Sequence, residues 1–280
     1  MDAGSDLPPA RTLLVLGGGA MKGVAHIGVW KALQESGTRV DGIVGTSIGA
    51  VVGTCIAGGM GWRELSEVAL ALRKKDIVDI NRRAIWFGGV HEPSVFEGER
   101  LKEWLGEVLP VKNFGQLELD LRINSVSLVS GREVWFGAGA RCDLPLAQAV
   151  YCSCALPVYF PPARAGDDWL VDGGIVDGFP IRHAREWGAG RVIGVDVGAD
   201  ILPPKPGYFE KGMVAIHDRV LSLSLRRQHQ NSLEDWHGPP LLYIRPEIGH
   251  LGGWDFDCTQ FLLEEGYRAA REALEEVEAA

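Results

Sequence analysis

The sequence predicts an α/β fold with a mostly parallel central sheet. Short runs of β-branched and leucine residues alternate along the chain with longer stretches that have helical hydrophobic spacing. The run at residues 191–197 is apolar at almost every position, which is typical of a strand buried on both faces of a parallel sheet. The sequence has no internal repeat and no long linker, so we expect residues 12–280 to form a single domain after a flexible tail over residues 1–11.

The first half of the chain alternates strands with helices. Residues 12–16 predict a strand, and residues 24–36 predict a helix that ends at Gly37, a residue common at helix C-termini. Residues 43–44 predict a second strand, and a helix over residues 50–57 follows it. Further helices are expected over residues 61–75 and 99–109, with a strand pair over 121–129 and 132–136 around Ser130-Gly131.

The second half continues the same alternation. A short helix over residues 146–150 precedes a strand over residues 169–171 that ends at Asp172. The proline-containing stretch 202–212 is expected to be an extended, exposed loop. The remaining elements are a helix over 181–187, a strand over 191–197, a long helix over 214–236, a strand over 241–244 and a final helix over 260–277.

Composition limits the kind of partner and compartment. The formal net charge of −9 leaves no basic footprint for nucleic acid and no polybasic route to anionic membranes. Residues 1–11 lack the apolar core of a signal peptide. The number of cysteines, five, is odd. Cys152 and Cys154 are separated by one residue, and the sequence contains no second cysteine pair with the spacing of metal ligands. We therefore expect reduced thiols, a cytoplasmic protein, and no metal or cofactor.

The stretch from residue 43 to residue 62 permits two interpretations. Its 20 residues carry no charge, and glycines recur at every fourth position, as in a close-packed transmembrane helix. However, six glycines and three hydroxyl residues lower its hydrophobicity, and no cluster of lysine or arginine flanks either end. A helix buried against the sheet explains the same glycines.

Residues 45–49, Gly-Thr-Ser-Ile-Gly, form the G-x-S-x-G pattern between a predicted strand and a predicted helix. A sharp turn there forces the central Ser47 into strained backbone space, and the flanking Gly45 and Gly49 leave room because they lack a Cβ. The helix N-terminus behind Ser47 favours negative charge nearby. The pattern predicts a nucleophile elbow.

Residues 17–23, Gly-Gly-Gly-Ala-Met-Lys-Gly, join the first strand to the first helix. A dinucleotide-binding loop would need glycine at position 22, where Lys22 stands, and the P-loop ending is absent. Glycine amides lie open to a substrate oxygen, so the loop can instead form an oxyanion hole beside Ser47. Lys22 either anchors the loop or carries a solvated charge. The candidate oxyanion donors are the amides of Gly17, Gly18, Gly19 and Ile48.

Asp172 ends a predicted strand and is followed by Gly173 and Gly174. An isolated Asp-Gly pair is commonly a simple turn. A carboxylate fixed at a strand end by a tight turn can also act as a general base, provided that a partly desolvated pocket raises its pKa above the ordinary value near 3.9.

Together these blocks resemble the patatin-like phospholipase family over residues 12–275. Residues 17–29 resemble its oxyanion loop and the helix that follows, and residues 45–49 resemble its nucleophile elbow. Residues 153–157 and 172–174 resemble two downstream blocks, of which the second carries the catalytic carboxylate. Four blocks in the same order are more specific than any one of them.

The resemblance implies a three-layer α/β/α fold and a catalytic dyad, with Ser47 as nucleophile and Asp172 as base. It implies hydrolysis of acyl esters of lipids, of phospholipase A or lysophospholipase type, through an acyl-enzyme and without a cofactor. It also implies a lipid or acyl-ester substrate, transient contact with a membrane or micelle surface, and no nucleic acid. Supporting positions are Lys22, Gly45, Gly49, Gly173, Gly174, Ser153 and Pro157.

The chain departs from the family pattern in two of these blocks. Residues 177–180, Asp-Gly-Phe-Pro, stand where many relatives carry paired asparagines before a proline. Residues 151–152, Tyr-Cys, replace a more usual Arg-Ala. Neither departure touches the dyad, and both leave the substrate preference open.

Two alternative functions and two interpretations of one loop remain open. A Ser–His–Asp esterase would use Ser47, Asp172 and His183, in the order common in α/β-hydrolases. A non-catalytic lipid-binding or regulatory protein could keep the fold without turnover. The aromatic stretch 85–90 permits either a flap over an apolar site, which could also touch a membrane, or a loop that buries its aromatics in the core.

Overall fold

A computed structural model describes residues 10–83 and 92–279. The predicted tail over residues 1–11 therefore lies outside the described residues except for Ala10 and Arg11. The predicted flap at residues 85–90 lies wholly outside them.

The first half of the chain begins with strand β1, which leads through the glycine loop and a 3₁₀ turn (Ala20–Val24) into helix α1. Strand β2 leads into helix α2 with only two residues between them. The elements are β1 (Thr12–Leu16), α1 (Ala25–Glu35), β2 (Gly42–Gly45), α2 (Ile48–Ala57), α3 (Trp62–Ala71), α4 (Lys74–Ile77), α5 (Glu99–Val108), β3 (Asp120–Ser127), β4 (Glu133–Gly137) and α6 (Leu146–Cys154).

The second half of the described chain adds four strands to the sheet, together with two long helices. The elements are β5 (Ala163–Ala165), β6 (Asp168–Asp172), α7 (Gly174–Asp177), α8 (Ile181–Glu186), β7 (Arg191–Val195), α9 (Met213–Glu234), β8 (Leu241–Ile244) and α10 (Thr259–Ala279). Short 3₁₀ turns stand at Phe114–Gln116 and Phe209–Lys211.

The strands of the described residues form one sheet in the order β5-β6-β3-β2-β1-β7-β8, and β4 also pairs with β3. Strands β3, β2, β1, β7 and β8 run parallel, whereas β4, β5 and β6 add antiparallel pairs at one end. The mostly parallel α/β sheet predicted from the sequence is confirmed.

Side chains of β1 show why the sheet has helices on both faces. Leu14 and Leu16 belong to the larger core with α1 and α2, whereas Leu13 and Val15 belong to a smaller core with Phe179 of the segment before α8. All four leucine and valine side chains are fully buried. Because successive residues of a strand point to opposite faces, this alternation requires a layer on each side.

Most predicted elements lie within a few residues of their observed bounds, with four differences. The helix predicted over residues 61–75 is divided into α3 and α4. Helix α6 continues to Cys154 instead of ending at residue 150. Strand β5 and the one-turn helix α7 were not expected from the sequence. The transmembrane alternative for residues 43–62 is wrong, because this stretch divides into β2 and the ten-residue α2. Among the described residues, no helix is long and apolar enough to cross a membrane.

Candidate active site

Ser47 lies in the two-residue connection between β2 and α2 with φ +55° and ψ −124°. A positive φ is uncommon for a residue with a side chain and costs on the order of 1–3 kcal/mol. The flanking glycines permit the turn: a Cβ at Gly45 would lie 2.6 Å from the Gly49 oxygen, and one at Gly49 would lie 2.1 Å from the Leu16 oxygen. The geometry is that of a nucleophile elbow.

Buried neighbours hold this turn in place. The Ser47 N–H donates to the Ser153 hydroxyl at 2.9 Å. The Thr46 hydroxyl donates to Asn124 Oδ1 at 2.9 Å, and both Thr46 and Asn124 are fully buried. Cys154 lies beside Ser47, and burial, followed by the charge of Asp172, raises the pKa of this thiol.

Sheet register explains why Asp172 lies next to Ser47. Strand β4 occupies one edge of β3, and β2 and β6 share the other edge, which they approach from opposite directions. Gly45 at the end of β2 pairs with Ile123, and Asp172 at the end of β6 pairs with Ser125, two residues further along β3. The two strand ends therefore converge.

Asp172 is 2% exposed, lies beside the Ser47 side chain, and accepts a hydrogen bond from the Gly174 amide at 2.8 Å. Burial raises the pKa of Asp172 to about 6, although the Ser47 hydroxyl and the Gly174 amide oppose the shift. A carboxylate with this pKa is ionised at neutral pH and is a better proton acceptor than an ordinary aspartate. Gly173 and Gly174 fix the turn: a Cβ at these positions would lie 2.1 Å from Asn124 Oδ1 and 3.0 Å from Asp172 Oδ1, respectively.

The glycine loop lies against Ser47, but two of its amides are already used. The Gly17 N–H donates to the Val195 oxygen at 3.1 Å, and the Gly18 N–H donates to the Gly178 oxygen at 2.9 Å. The expectation that these two amides hold an oxyanion is therefore corrected. Within the part of the chain that the structure describes, the amides without an acceptor near Ser47 are those of Gly19, Ala20 and Ile48.

Two side chains from the glycine-loop region are buried in the site. His26 is fully buried; its Nε2 lies 2.9 Å from the Gly17 oxygen, and burial lowers its pKa to about 4. The neutral ring therefore donates to the loop and fixes it. Lys22 is 4% exposed, so the alternative of a solvated charge is wrong. Burial lowers the pKa of Lys22 to about 8, and the charge of Arg245 adds to this effect.

Ser47 and Asp172 open into a cavity of about 840 Å³. The glycine loop and Lys22 form part of its polar wall. Pro157 is not among its lining residues; it begins the turn after α6, and its neighbours Leu156 and Tyr159 contact the cavity. The apolar wall includes Leu156, Tyr159, Leu221, Leu225, Leu251 and Trp254.

A second polar cluster lies at the far side of the glycine loop and was not singled out from the sequence. Asp196, fully buried just after β7, receives hydrogen bonds from α9 and from the end of β8. Burial opposes its ionisation, but the hydrogen bond from His229 and the charge of Arg245 hold the pKa of Asp196 well below its usual range. Its partners are His229 Nδ1 (2.9 Å), Arg226 (3.0 Å), Tyr243 Oη (2.8 Å), the Gly198 N–H (2.8 Å) and Arg245.

His183 does not belong to the site. Its ring stacks on Trp135 with ring centroids 3.5 Å apart, its Nε2 lies 3.1 Å from Arg122, and it does not line the cavity. The Ser–His–Asp alternative through His183 is therefore wrong. Among residues 10–83 and 92–279, no group of three or more His, Cys, Asp or Glu side chains is arranged to hold a metal ion.

The fold and the elbow define an α/β protein with the site geometry of a serine hydrolase. A family model described as patatin-like phospholipase matches residues 14–185, which is more than half of the chain. The chain belongs to the patatin-like phospholipase family, and the resemblance inferred from the four blocks is confirmed.

Individual relatives place the chain within this family. It is 26% identical over 295 residues to lysophospholipase nte1 of Emericella nidulans, covering 94% of this chain and 18% of that protein. It is 31% identical over 201 residues to an uncharacterized NTE family protein of Mycobacterium bovis, covering 72% of this chain and 52% of that protein. The chain thus spans less than a fifth of the first relative and about half of the second.

A solved structure supports the fold. The crystal structure of VipD from Legionella pneumophila matches 96% of this chain and 67% of that chain, with a TM-score of 0.57 and 14% sequence identity. At this level of identity the likeness concerns the fold alone.

Proposed function

We propose that the chain is a serine hydrolase that cleaves acyl esters of lipids, of phospholipase A or lysophospholipase type. The observation that carries the proposal is the position of the strained Ser47 beside the buried Asp172, whose pKa is raised to about 6, on the wall of one cavity. Membership of the patatin-like phospholipase family and the presence of lysophospholipases among the relatives support the substrate class.

In the first half of the reaction, Ser47 Oγ attacks the ester carbonyl and Asp172 takes the hydroxyl proton. The carbonyl oxygen becomes an oxyanion, which the amides of Gly19, Ala20 and Ile48 are available to hold. The carbon–oxygen bond to the leaving alcohol then breaks, and Asp172 returns the proton to that alcohol. An acyl-Ser47 ester remains.

In the second half, a water molecule attacks the acyl carbonyl while Asp172 accepts one of its protons. The same amides hold the second oxyanion, the bond to Ser47 Oγ breaks, and Asp172 gives its proton back to the serine. The fatty acid leaves, and the enzyme returns to its starting state without a cofactor.

The apolar wall of the cavity suits an acyl chain. Tyr159 and Trp254 have ring centroids 4.7 Å apart, and Phe96 packs against both. Burying each CH₂ group of a chain against such a wall is worth about 0.8 kcal/mol. The polar wall around Lys22 is left for the alcohol part of the lipid.

The chain also has a surface suited to transient contact with a membrane or micelle. About half of the large hydrophobic side chains that the described residues expose lie within residues 201–223. The same segment lines the cavity through Tyr208, Leu221 and Ser222, so lipid held at this surface would lie beside the cavity. We call this surface the apolar face: Ile201, Leu202, Phe209, Met213, Val214, Ile216, Val220 and Leu223.

A cytoplasmic location stays a prediction.

The test is hydrolysis of p-nitrophenyl esters of graded chain length by wild type, Ser47→Ala and Asp172→Ala. We expect each substitution to lower kcat by at least about a thousandfold while the protein stays folded by circular dichroism. A folded wild type that is inert on all esters, yet is stabilised by lipids against heat, would favour the non-catalytic lipid-binding alternative. Activity retained by Ser47→Ala would contradict the proposed nucleophile.

A further inference from the structure

We propose that His229 determines substrate specificity by accepting a hydrogen bond from a free hydroxyl group of the lipid's alcohol part. This inference rests on the proposed hydrolase function and narrows its substrate class to lipids that keep an unacylated hydroxyl, such as monoacyl lipids. Three observations carry it: the anchoring of the imidazole ring, the position of its free nitrogen, and the chemistry of that nitrogen.

The ring is anchored from behind by Asp196. His229 Nδ1 lies 2.9 Å from Asp196 Oδ1, and both side chains are buried. The other oxygen of Asp196 accepts hydrogen bonds from Arg226, Arg245 and Tyr243. Because a carboxylate can only accept, His229 Nδ1 is the donor in this pair. Asp196 thereby fixes both the orientation and the tautomer of the ring.

The other ring nitrogen belongs to the wall of the cavity that Ser47 and Asp172 share. His229 is 2% exposed, and its Nε2 has no hydrogen-bond partner among the described residues. A Cβ at Gly178 would lie 2.9 Å from Nε2, and a Cβ at Gly198 would lie 3.1 Å from Cε1. Because residues 178 and 198 are glycines, no Cβ crowds this ring edge, and the buried Nε2 keeps an unfilled hydrogen-bonding position.

The tautomer decides what can bind. In the tautomer that carries its proton on Nδ1, the ring presents a lone pair at Nε2 and needs a donor from the ligand. Arg226 and Arg245 already match the charge of Asp196, so a third cation would have no counter-charge on that carboxylate. A buried acceptor left without a donor costs free energy, so a substrate with a donor at this point is favoured.

Among ester lipids, the donor distinguishes substrate classes. A glycerolipid that keeps one free hydroxyl can donate to Nε2, whereas a fully acylated lipid with a choline headgroup has no O–H or N–H to offer. The hydroxyl would bind between the glycine loop and α9, beside the carbonyl that Ser47 attacks. His229 is thus a substrate-contacting residue, and Asp196 is a positioning residue that acts through it.

The test compares two matched substrates in wild type and in His229→Asn. One substrate is a 1-acyl lysophosphatidylcholine, and the other is its analogue in which hydrogen replaces the glycerol hydroxyl. Asparagine keeps a donor near the position of Nδ1 and removes Nε2, so Asp196 retains a partner. His217→Asn is the matched control, because His217 lies on the same helix and does not line the cavity.

We expect wild type and His217→Asn to prefer the hydroxyl-bearing substrate by about 10- to 100-fold in kcat/KM. In His229→Asn this ratio should fall towards one. Gly178→Ala provides a second variant that keeps the histidine: its methyl group would cover Nε2, and the same ratio should fall. If His229→Asn unfolds, the Gly178→Ala result decides.

The outcomes separate this inference from the proposed function. No turnover of the p-nitrophenyl esters or of either lipid by wild type would overturn the proposed function itself. Turnover of the p-nitrophenyl esters with neither lipid cleaved would overturn the narrowed substrate class. Turnover with an unchanged ratio in His229→Asn and Gly178→Ala would overturn the role of His229 alone. One more result would overturn the role of His229. In it, His229→Asn slows hydrolysis of lysophosphatidylcholine, with or without the glycerol hydroxyl, but does not slow hydrolysis of monoacylglycerol. His229 would then contact the phosphate and not the hydroxyl.

Discussion

The main-chain amide of Ser47 donates a hydrogen bond of 2.9 Å to the hydroxyl of Ser153, which is fully buried near the end of α6. Ser47 precedes the first residue of α2, so its amide lies outside the hydrogen-bond ladder of that helix. Ser153 satisfies the amide and ties the strained turn to a second helix. The elbow is therefore held by a residue more than a hundred positions away in the sequence.

Ser153→Ala should lower kcat for ester hydrolysis by about 10- to 100-fold, because the elbow loses its support while Ser47 and Asp172 remain. Ser127→Ala is the matched control: its buried hydroxyl also accepts a main-chain N–H, from Ser130 at 3.0 Å, but that amide lies in the turn between β3 and β4 and not in the elbow. Steady-state kinetics and thermal melting should separate the two. Equal kinetic losses in both variants would contradict a specific role for Ser153.

Sequence patterns were sufficient for the local parts of the site. Glycine is required at positions 45 and 49 because a Cβ there would clash with atoms a few residues away or on the adjacent strand. The G-x-S-x-G motif contains both glycines, so the sequence alone indicates this requirement. Helix α6 extends beyond its predicted end, because residues 151–154, Tyr-Cys-Ser-Cys, show little hydrophobic periodicity and are helical where they pack under the elbow.

Contacts between distant segments could not be predicted in this way. Asp196 and His229 are 33 residues apart and belong to no shared motif, so only the pairing of β7 with β8 and the position of α9 bring them together. His183 fitted the order of a triad, yet its ring stacks on Trp135. The amides of Gly17 and Gly18 matched an oxyanion loop, but their acceptors come from β7 and from the turn after α7.

The pH dependence of hydrolysis should report the raised pKa of Asp172. As a general base, Asp172 must be ionised, so kcat/KM should rise tenfold per pH unit below about pH 6 and level off above it. An ordinary aspartate would give half-maximal activity near pH 4. Rates measured from pH 4 to 8, with recovery of activity at pH 7 as a check on stability, would decide between these values.

The same ionisation should lower stability. The folded state holds the Asp172 proton up to about pH 6, whereas the unfolded chain releases it near pH 3.8, so stability falls as pH rises between these values. Asp172→Asn cannot ionise. Its free energy of unfolding relative to wild type should therefore increase by about 3 kcal/mol from pH 4 to pH 7 in urea titrations. A pH-independent difference would contradict the raised pKa.

Two glycine-to-alanine substitutions should have opposite effects on stability. In Gly49→Ala the new Cβ would lie 2.1 Å from the Leu16 oxygen, so the elbow must move and unfolding free energy should drop by about 1–3 kcal/mol or more. Gly106 lies inside α5, and a Cβ there meets nothing within 4 Å. Gly106→Ala should stabilise the protein by about 0.5–1 kcal/mol. Destabilisation by Gly106→Ala would contradict the open space at that position, and unchanged stability of Gly49→Ala would contradict the crowding at the elbow.

Charge on the apolar face should weaken lipid-surface binding. Met213 and Val220 are 77% and 60% exposed, and Met213→Glu with Val220→Glu should reduce co-sedimentation with phosphatidylcholine vesicles. The ratio of micellar to monomeric ester hydrolysis should fall in parallel. Val129→Glu, at a 70% exposed site in the turn between β3 and β4, is the control. Equal losses in both proteins would argue against docking through this face.

Asp196 should contribute more to the free energy of unfolding than its exposed neighbour Asp200 does. Asp196→Asn leaves Arg226 and Arg245 without their buried counter-charge, which should lower the unfolding free energy by about 3–5 kcal/mol. Asp200 also pairs with Arg245, at 2.6 Å, but its side chain is 42% exposed, so Asp200→Asn should cost at most about 1 kcal/mol.

Acid should reduce the difference between wild type and Asp196→Asn. The pKa of Asp196 is lowered in the folded state, so its contribution to stability is complete above the pKa of the unfolded chain and is lost as pH falls below it. Urea titrations at pH 7 and at pH 3, with Asp200→Asn alongside, measure both effects. A small loss for Asp196→Asn at pH 7 would show that the two arginines find water instead, and that the cluster positions His229 without stabilising the fold.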